Sequence, residues 1–192
     1  MGNSITKHPY LPKVEWYADW GMAASKEELD YCHVLQKRLK EYCSYATVTP
    51  LNISEFEVNP MCNLDSLFGN ACDDANVIVI RLGENVQDIS LFQSNIQRLV
   101  DKCKSYTQYV IITGNFWMQP QKERILINAA YDNHLPFVPI SWIAELRDAF
   151  PEKGDTIYNM EGKPYALTSE FILTHPNDEG MKNIADAIFN VI

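Results

Sequence analysis

Two short apolar runs constrain this chain more than any other feature. "NVIVIRL" (Asn76 to Leu82) and "QYVIITG" (Gln108 to Gly114) are continuous and β-branched, without the polar alternation of a half-exposed strand. Runs of that kind belong in a parallel sheet covered on both faces. "YATVTPL" (Tyr45 to Leu51) reads as a third strand, and "LPFVPI" (Leu135 to Ile140) as a weaker fourth whose prolines place it near an edge. Helical patterns lie between them. Ser25, with Glu28 three residues on, reads as a capping box that opens a helix carrying Leu29, Cys32, Leu35 and Leu39. Ile89 to Lys104 presents a core stripe of Phe92, Ile96, Leu99, Val100 and Cys103. Gln121 to Asn133 and Ser141 to Phe150 are shorter candidates. A last helix begins near Asn177 and buries Met181, Ile184, Ala185, Ile188 and Phe189, with Asp178 and Glu179 at its positive dipole end. "DTIYNMEGKPYAL" (Asp155 to Leu167) reads as a hairpin turning at Glu161 and Gly162. Strand and helix in alternation predict an α/β fold, a three-layer α/β/α sandwich with a mainly parallel sheet. The 192 residues fit one domain spanning positions 1–192.

Charge and composition exclude several classes of function. The formal net charge is −9, which argues against a surface that tracks nucleic-acid phosphates. Lys37, Arg38 and Lys40 are offset by Glu41 and by Glu27, Glu28 and Asp30, and read as a solvated helix face. No apolar run reaches the roughly 18–20 residues of a membrane span. No secretory leader pattern opens the chain, which favours a cytoplasmic setting. The five cysteines are odd in number and dispersed, and read as reduced thiols rather than a disulfide scaffold, although Cys62 and Cys72 share one loop-like stretch. No C-x-x-C pair supports a metal or redox site, and no cofactor is implied.

In open α/β sheets the ligand site lies at the carboxyl ends of the strands. Gly83-Glu84-Asn85 follows one apolar run, Asn115-Phe116-Trp117 follows another, and Thr174-His175-Pro176 precedes the last helix. The chain itself opens with a polar turn, "GNSIT". Serine, asparagine and histidine at one sheet mouth point to nucleophilic acyl chemistry. A serine hydroxyl needs an imidazole to take its proton, and the tetrahedral intermediate needs fixed donors for its oxyanion. Each piece alone is weak: a Gly-X-Ser turn is usually only a turn, and a His-Pro near a helix start is usually a cap.

Taken in order, these segments resemble the blocks of the SGNH (GDSL-type) hydrolases, and look like a bacterial subgroup of that superfamily. "GNSIT" stands for its Gly-Asp-Ser-hydrophobic-Thr block and offers Ser4 as nucleophile. "DWGMAAS" offers the backbone amide of Gly21, "LGEN" the side-chain amide of Asn85, and "THPNDEGM" the base His175. The resemblance covers nearly the whole chain. It implies a flavodoxin-like sheet and a serine esterase with an acyl-Ser4 intermediate, acting on small or carbohydrate-linked, acetyl-type esters. The partner is then a small-molecule or carbohydrate ester, with a homo-oligomer left open. The alternatives are a catalytically impaired sugar-binding domain and an acyltransferase to sugar hydroxyls. Tyr10, Trp16, Tyr17, Trp20 and Trp117 are candidate aromatic faces for such a ligand, against core packing. His8 is a candidate pocket residue against a solvated histidine, while His33 and His134 read as structural.

Two departures from the family pattern stand out. Where the family has Asp in Asp-X-X-His, this chain has Ile172. The imidazole is then oriented by a backbone carbonyl, leaving a Ser–His dyad, or by another carboxylate such as Glu170 or Asp88, or activity is lost. The family's nucleophile turn also follows a central strand, whereas only Met1 precedes Gly2 here. The expectation is a first strand missing or truncated. Asn76 to Leu82 and Tyr45 to Leu51 would then flank an empty or foreign-filled slot.

Overall fold

A computed structural model describes residues 1–192. The chain divides into two compact units, one made of Met1–Gly2 with Ile53–Ser141, the other of Asn3–Asn52 with Trp142–Ile192.

The first unit holds the parallel sheet. Strands β1 (Ile78–Ile80), β2 (Val110–Thr113) and β3 (Phe137–Val138) pair in the order β1-β2-β3, all parallel. The central β2 is buried at all four positions, as its unbroken Val-Ile-Ile-Thr run requires. The weak fourth run shrinks to the two residues of β3, because Pro136 and Pro139 flank it and cannot donate to a ladder. Two helices pack on this sheet. One spans Ile89–Lys104, the boundaries expected from its stripe, and is capped by Asp88, whose carboxylate accepts the Leu91 N–H at 2.8 Å. The other spans Pro120–Asp132, with Pro120 in the first turn where its missing N–H is harmless.

The free edge of β1 is not empty. Met1 and Gly2 lie along it in parallel register, with Gly2 opposite Arg81. The Met1 ammonium donates to the Val79 carbonyl at 2.7 Å, the Arg81 N–H to the Met1 carbonyl at 3.0 Å, and the Ile53 N–H to the Gly2 carbonyl at 2.7 Å. The edge expected to be an empty or foreign-filled slot is therefore occupied by Met1 and Gly2. Tyr45 to Leu51 forms no strand, which corrects the third strand expected from sequence. Pro50 removes one ladder donor, the Val48 N–H is taken by the Gln36 side chain at 2.8 Å, and Tyr45 is 85% exposed.

The second unit is built on two helices, Tyr31–Leu39 and Asp178–Phe189, packed against each other. The capping box expected at Ser25 does not form. A short 3₁₀ turn, Glu27–Leu29, intervenes, and Asp30 is the cap, accepting the His33 N–H at 2.8 Å. Ser25 instead donates its N–H and hydroxyl to the two oxygens of Asp178, at 2.7 and 2.6 Å. Met181, Ile184, Ala185 and Ile188 are buried as their spacing predicts, whereas Phe189 is only half-buried and lies under the Arg38 guanidinium. The helix expected over Ser141 to Phe150 contracts to a 3₁₀ segment, Ser141–Glu145, which spans the division between the units. Strands Thr156–Tyr158 and Pro164–Ala166 form the expected antiparallel hairpin, with Gly162 at φ +73° in its turn. No helix is long and apolar enough to cross a membrane. All five cysteines are free thiols, Cys62 and Cys72 included.

Candidate functional site

The turn at the start of the second unit is fixed by its own backbone. The Asn3 carbonyl accepts the N–H groups of Thr6 and Lys7 at 2.9 and 3.1 Å, and the Asn3 side chain accepts the Ile5 N–H at 3.3 Å. A short side chain that accepts from two residues on is what Asn supplies as readily as Asp. Ser4 sits at the crest of this turn, half-exposed. Its hydroxyl lies 3.0 Å from Nε2 of His175. The two residues are 171 positions apart in sequence, and the structure brings them together.

His175 is buried and follows the 3₁₀ turn Ile172–Thr174. Its Nδ1 is 3.1 Å from the carbonyl oxygen of Phe171. A carbonyl can only accept, so Nδ1 carries the proton and the Nε2 lone pair faces the Ser4 hydroxyl. The Thr174 hydroxyl donates to the same carbonyl at 2.8 Å and stands 3.5 Å from Nδ1. The Phe171 ring lies beside the imidazole, 5.2 Å between centroids, and is half exposed to solvent. Neither carboxylate considered from sequence is the orienter. Glu170 pairs with Lys153 on the surface at 3.3 Å, and Asp88 caps a helix of the first unit. Ile172 is fully buried. A hydroxyl and a correctly protonated imidazole at this separation can exchange a proton.

Gly21 meets the Ser4 turn directly. The N–H of its neighbour Met22 donates to the Ser4 carbonyl at 2.9 Å. A Cβ at position 21 would stand 2.6 Å from the Ile5 carbonyl oxygen and 3.0 Å from Asp30 Cβ, so only glycine fits. Its own amide, however, donates to the buried Asp30 carboxylate at 3.3 Å. The Ser4 N–H is not taken by any carbonyl or side chain. Asp30 also accepts from Nδ1 of His33 at 2.9 Å, and this hydrogen bond, with the nearby Asp30 and Glu27 charges, raises the His33 pKa against the opposing effect of burial. His33 is thus the structural histidine expected. His8 places Nδ1 on its neighbour's Pro9 carbonyl at 2.7 Å, and burial lowers its pKa. Trp16 and Trp20 are core residues, each with its indole N–H bonded to a carbonyl. Tyr10 remains exposed and rests on Tyr17.

Asn85 belongs to the first unit, in the turn after β1. It is exposed, and its side-chain nitrogen donates to Glu57 at 2.7 Å. Under it lies a buried polar group of Arg81, Glu84, Glu57, Lys122 and Glu123. Arg81 donates to Glu84 at 2.6 Å, and Glu84 also accepts the Phe116 N–H at 2.9 Å. Burial works to raise the Glu84 pKa, but the Arg81 charge and these hydrogen bonds outweigh it and hold it low.

The solved structure of a point mutant of Axe2, an acetyl-xylooligosaccharide esterase from Geobacillus Stearmophilus, superimposes with a TM-score of 0.60 over 98% of this chain and 90% of that one, at 12% sequence identity. The two chains share a fold. At so low an identity the likeness concerns the fold alone. No family model matches the sequence, and no curated protein does. Two features of the site had no signature in the sequence. The Phe171 carbonyl is a main-chain atom that any residue would supply, and Glu57 carries no motif.

Proposed function

We propose that this chain is a serine esterase that cleaves small or carbohydrate-linked, acetyl-type esters through an acyl-Ser4 intermediate. The observation that carries the reading is the 3.0 Å contact from Ser4 Oγ to an imidazole whose other nitrogen is held by the Phe171 carbonyl. His175 takes the hydroxyl proton as Oγ attacks the ester carbonyl carbon. The oxyanion is received by the free Ser4 N–H. The family resemblance adds Asn85 as a side-chain donor and the Gly21 amide as a second main-chain donor, which must be released from Asp30 or shared with it. Nε2 then returns the proton to the departing alkoxide, the alcohol leaves, and water repeats the sequence to free the acid and restore Ser4. The exposed Phe171 ring beside the imidazole offers an apolar face to the acyl or sugar group. The acetyl-xylooligosaccharide activity of the structurally similar protein supports a carbohydrate acetyl ester as substrate.

A second reading, a sugar-binding domain with impaired catalysis, draws on Ile172, buried where the family has its Asp. One experiment separates the two. Hydrolysis of p-nitrophenyl acetate and covalent labelling of Ser4 by a fluorophosphonate are expected in the wild type and absent in Ser4→Ala. Turnover that survives in Ser4→Ala refutes the esterase reading. Binding of a xylo-oligosaccharide without turnover, unchanged in Ser4→Ala, supports the second.

A further inference from the structure

The turn after β1 is held by one buried carboxylate. Glu57, in the short helix Glu55–Val58, is 1% exposed. Its Oε1 accepts the N–H of Gly83 at 2.6 Å and of Asn85 at 3.2 Å, and its Oε2 accepts from the Asn85 side-chain nitrogen at 2.7 Å. Gly83 makes the first of these contacts possible. Its φ of +128° is closed to ordinary side chains, and a Cβ there would stand 2.2 Å from Asn115 Nδ2.

We propose that Glu57 is a positioning residue for Asn85, fixing the side-chain amide so that its nitrogen, and not its oxygen, is presented for hydrogen-bond donation. This rests on the reading of Asn85 as an oxyanion donor. An ionised carboxylate only accepts, so the nitrogen of Asn85 must face it, and the amide plane is set. The second N–H of that nitrogen remains for another acceptor. An exposed asparagine without such a partner rotates freely and presents its oxygen as often as its nitrogen. An oxyanion gains from donors that need no reorganisation at the moment of reaction. The position is not a favourable one for a carboxylate. Burial and the neighbouring Glu84 charge raise the Glu57 pKa, against the three hydrogen bonds it accepts.

The test is a double-mutant cycle on ester hydrolysis with Glu57→Gln, Asn85→Ala and the pair. Glutamine keeps the volume and one acceptor but leaves the Asn85 nitrogen without its own. Asn85→Ala is expected to lower kcat by about 10²–10³, the usual effect of one lost oxyanion donor. Glu57→Gln is expected to lower kcat at least about tenfold with KM little changed, and the pair is expected to fall no further than Asn85→Ala alone. Equal factors from Glu57→Gln in both backgrounds overturn the proposal, as does full kcat in Asn85→Ala. A second measurement needs no substrate. In ¹⁵N-labelled wild type the Asn85 side-chain amide is expected to show one exchange-protected proton that disappears in Glu57→Gln. A freely exchanging Asn85 amide overturns the proposal whatever the activity. A wild type that hydrolyses no ester while keeping the protected proton overturns the esterase reading and leaves the hold of Glu57 on Asn85 established.

Discussion

Placing an aspartate three residues before the histidine by Ile172→Asp is expected to harm this protein. Ile172 is fully buried at the start of the 3₁₀ turn before His175. Its carbonyl accepts the His175 N–H at 2.9 Å, while Nδ1 is already satisfied by the Phe171 carbonyl at 3.1 Å. Removing the buried isoleucine side chain forfeits about 1.5–3 kcal/mol of apolar burial. Placing a carboxyl group in the vacated apolar site adds about 1–3 kcal/mol, even when the group stays protonated. Together these give about 2.5–6 kcal/mol. For a chain of this size 1 kcal/mol corresponds to about 2–4 °C in Tm, so the expected fall is about 5–24 °C. Ile172→Val is the control, with an expected loss of about 0.5–1.5 kcal/mol. Thermal melts followed by circular dichroism, with p-nitrophenyl acetate kinetics below the transition, measure both effects. An Ile172→Asp protein as stable as the wild type and ten times faster would refute the reasoning. It would mean that the side chain at 172 reaches the imidazole and that the carbonyl is not its orienter.

Gly83→Ala is expected to cost about 2–6 kcal/mol, combining backbone strain with overpacking against Asn115, and to appear as a lower urea midpoint. His33 carries a pH-dependent increment of stability. Its folded pKa is raised above 6.5, chiefly by the Asp30 hydrogen bond, so the increment is full below pH 6.5 and lost as pH rises through the folded value. His33→Gln is therefore expected to lower Tm at pH 5.5 and to leave it nearly unchanged at pH 9, with an effect of about 1 kcal/mol or less because the group is partly exposed. Equal losses at both pH values would count against the ion pair.

The helix Ile89–Lys104 was legible because its apolar stripe is a local signal, whereas its cap Asp88 reads in the sequence only as a candidate carboxylate for the imidazole. The core strand Val110–Thr113 was legible for a related reason, since an unbroken β-branched run has few other places to go. Tyr45 to Leu51 had similar composition and formed no strand, because ladder pairing depends on a neighbour that the segment itself does not specify. Ser25 had the local pattern of a cap, yet Asp178, 153 residues away, took both of its donors. The serine, the histidine and their order in the chain could be read from the sequence, since side-chain chemistry is written residue by residue. Their 3.0 Å approach, the main-chain carbonyl that sets the tautomer, the Asp30 carboxylate on the Gly21 amide and the Glu57 carboxylate under Asn85 were decided by tertiary structure alone. Each of those contacts joins atoms whose distance is fixed by how separate segments pack, and a main-chain oxygen has no letter in the sequence.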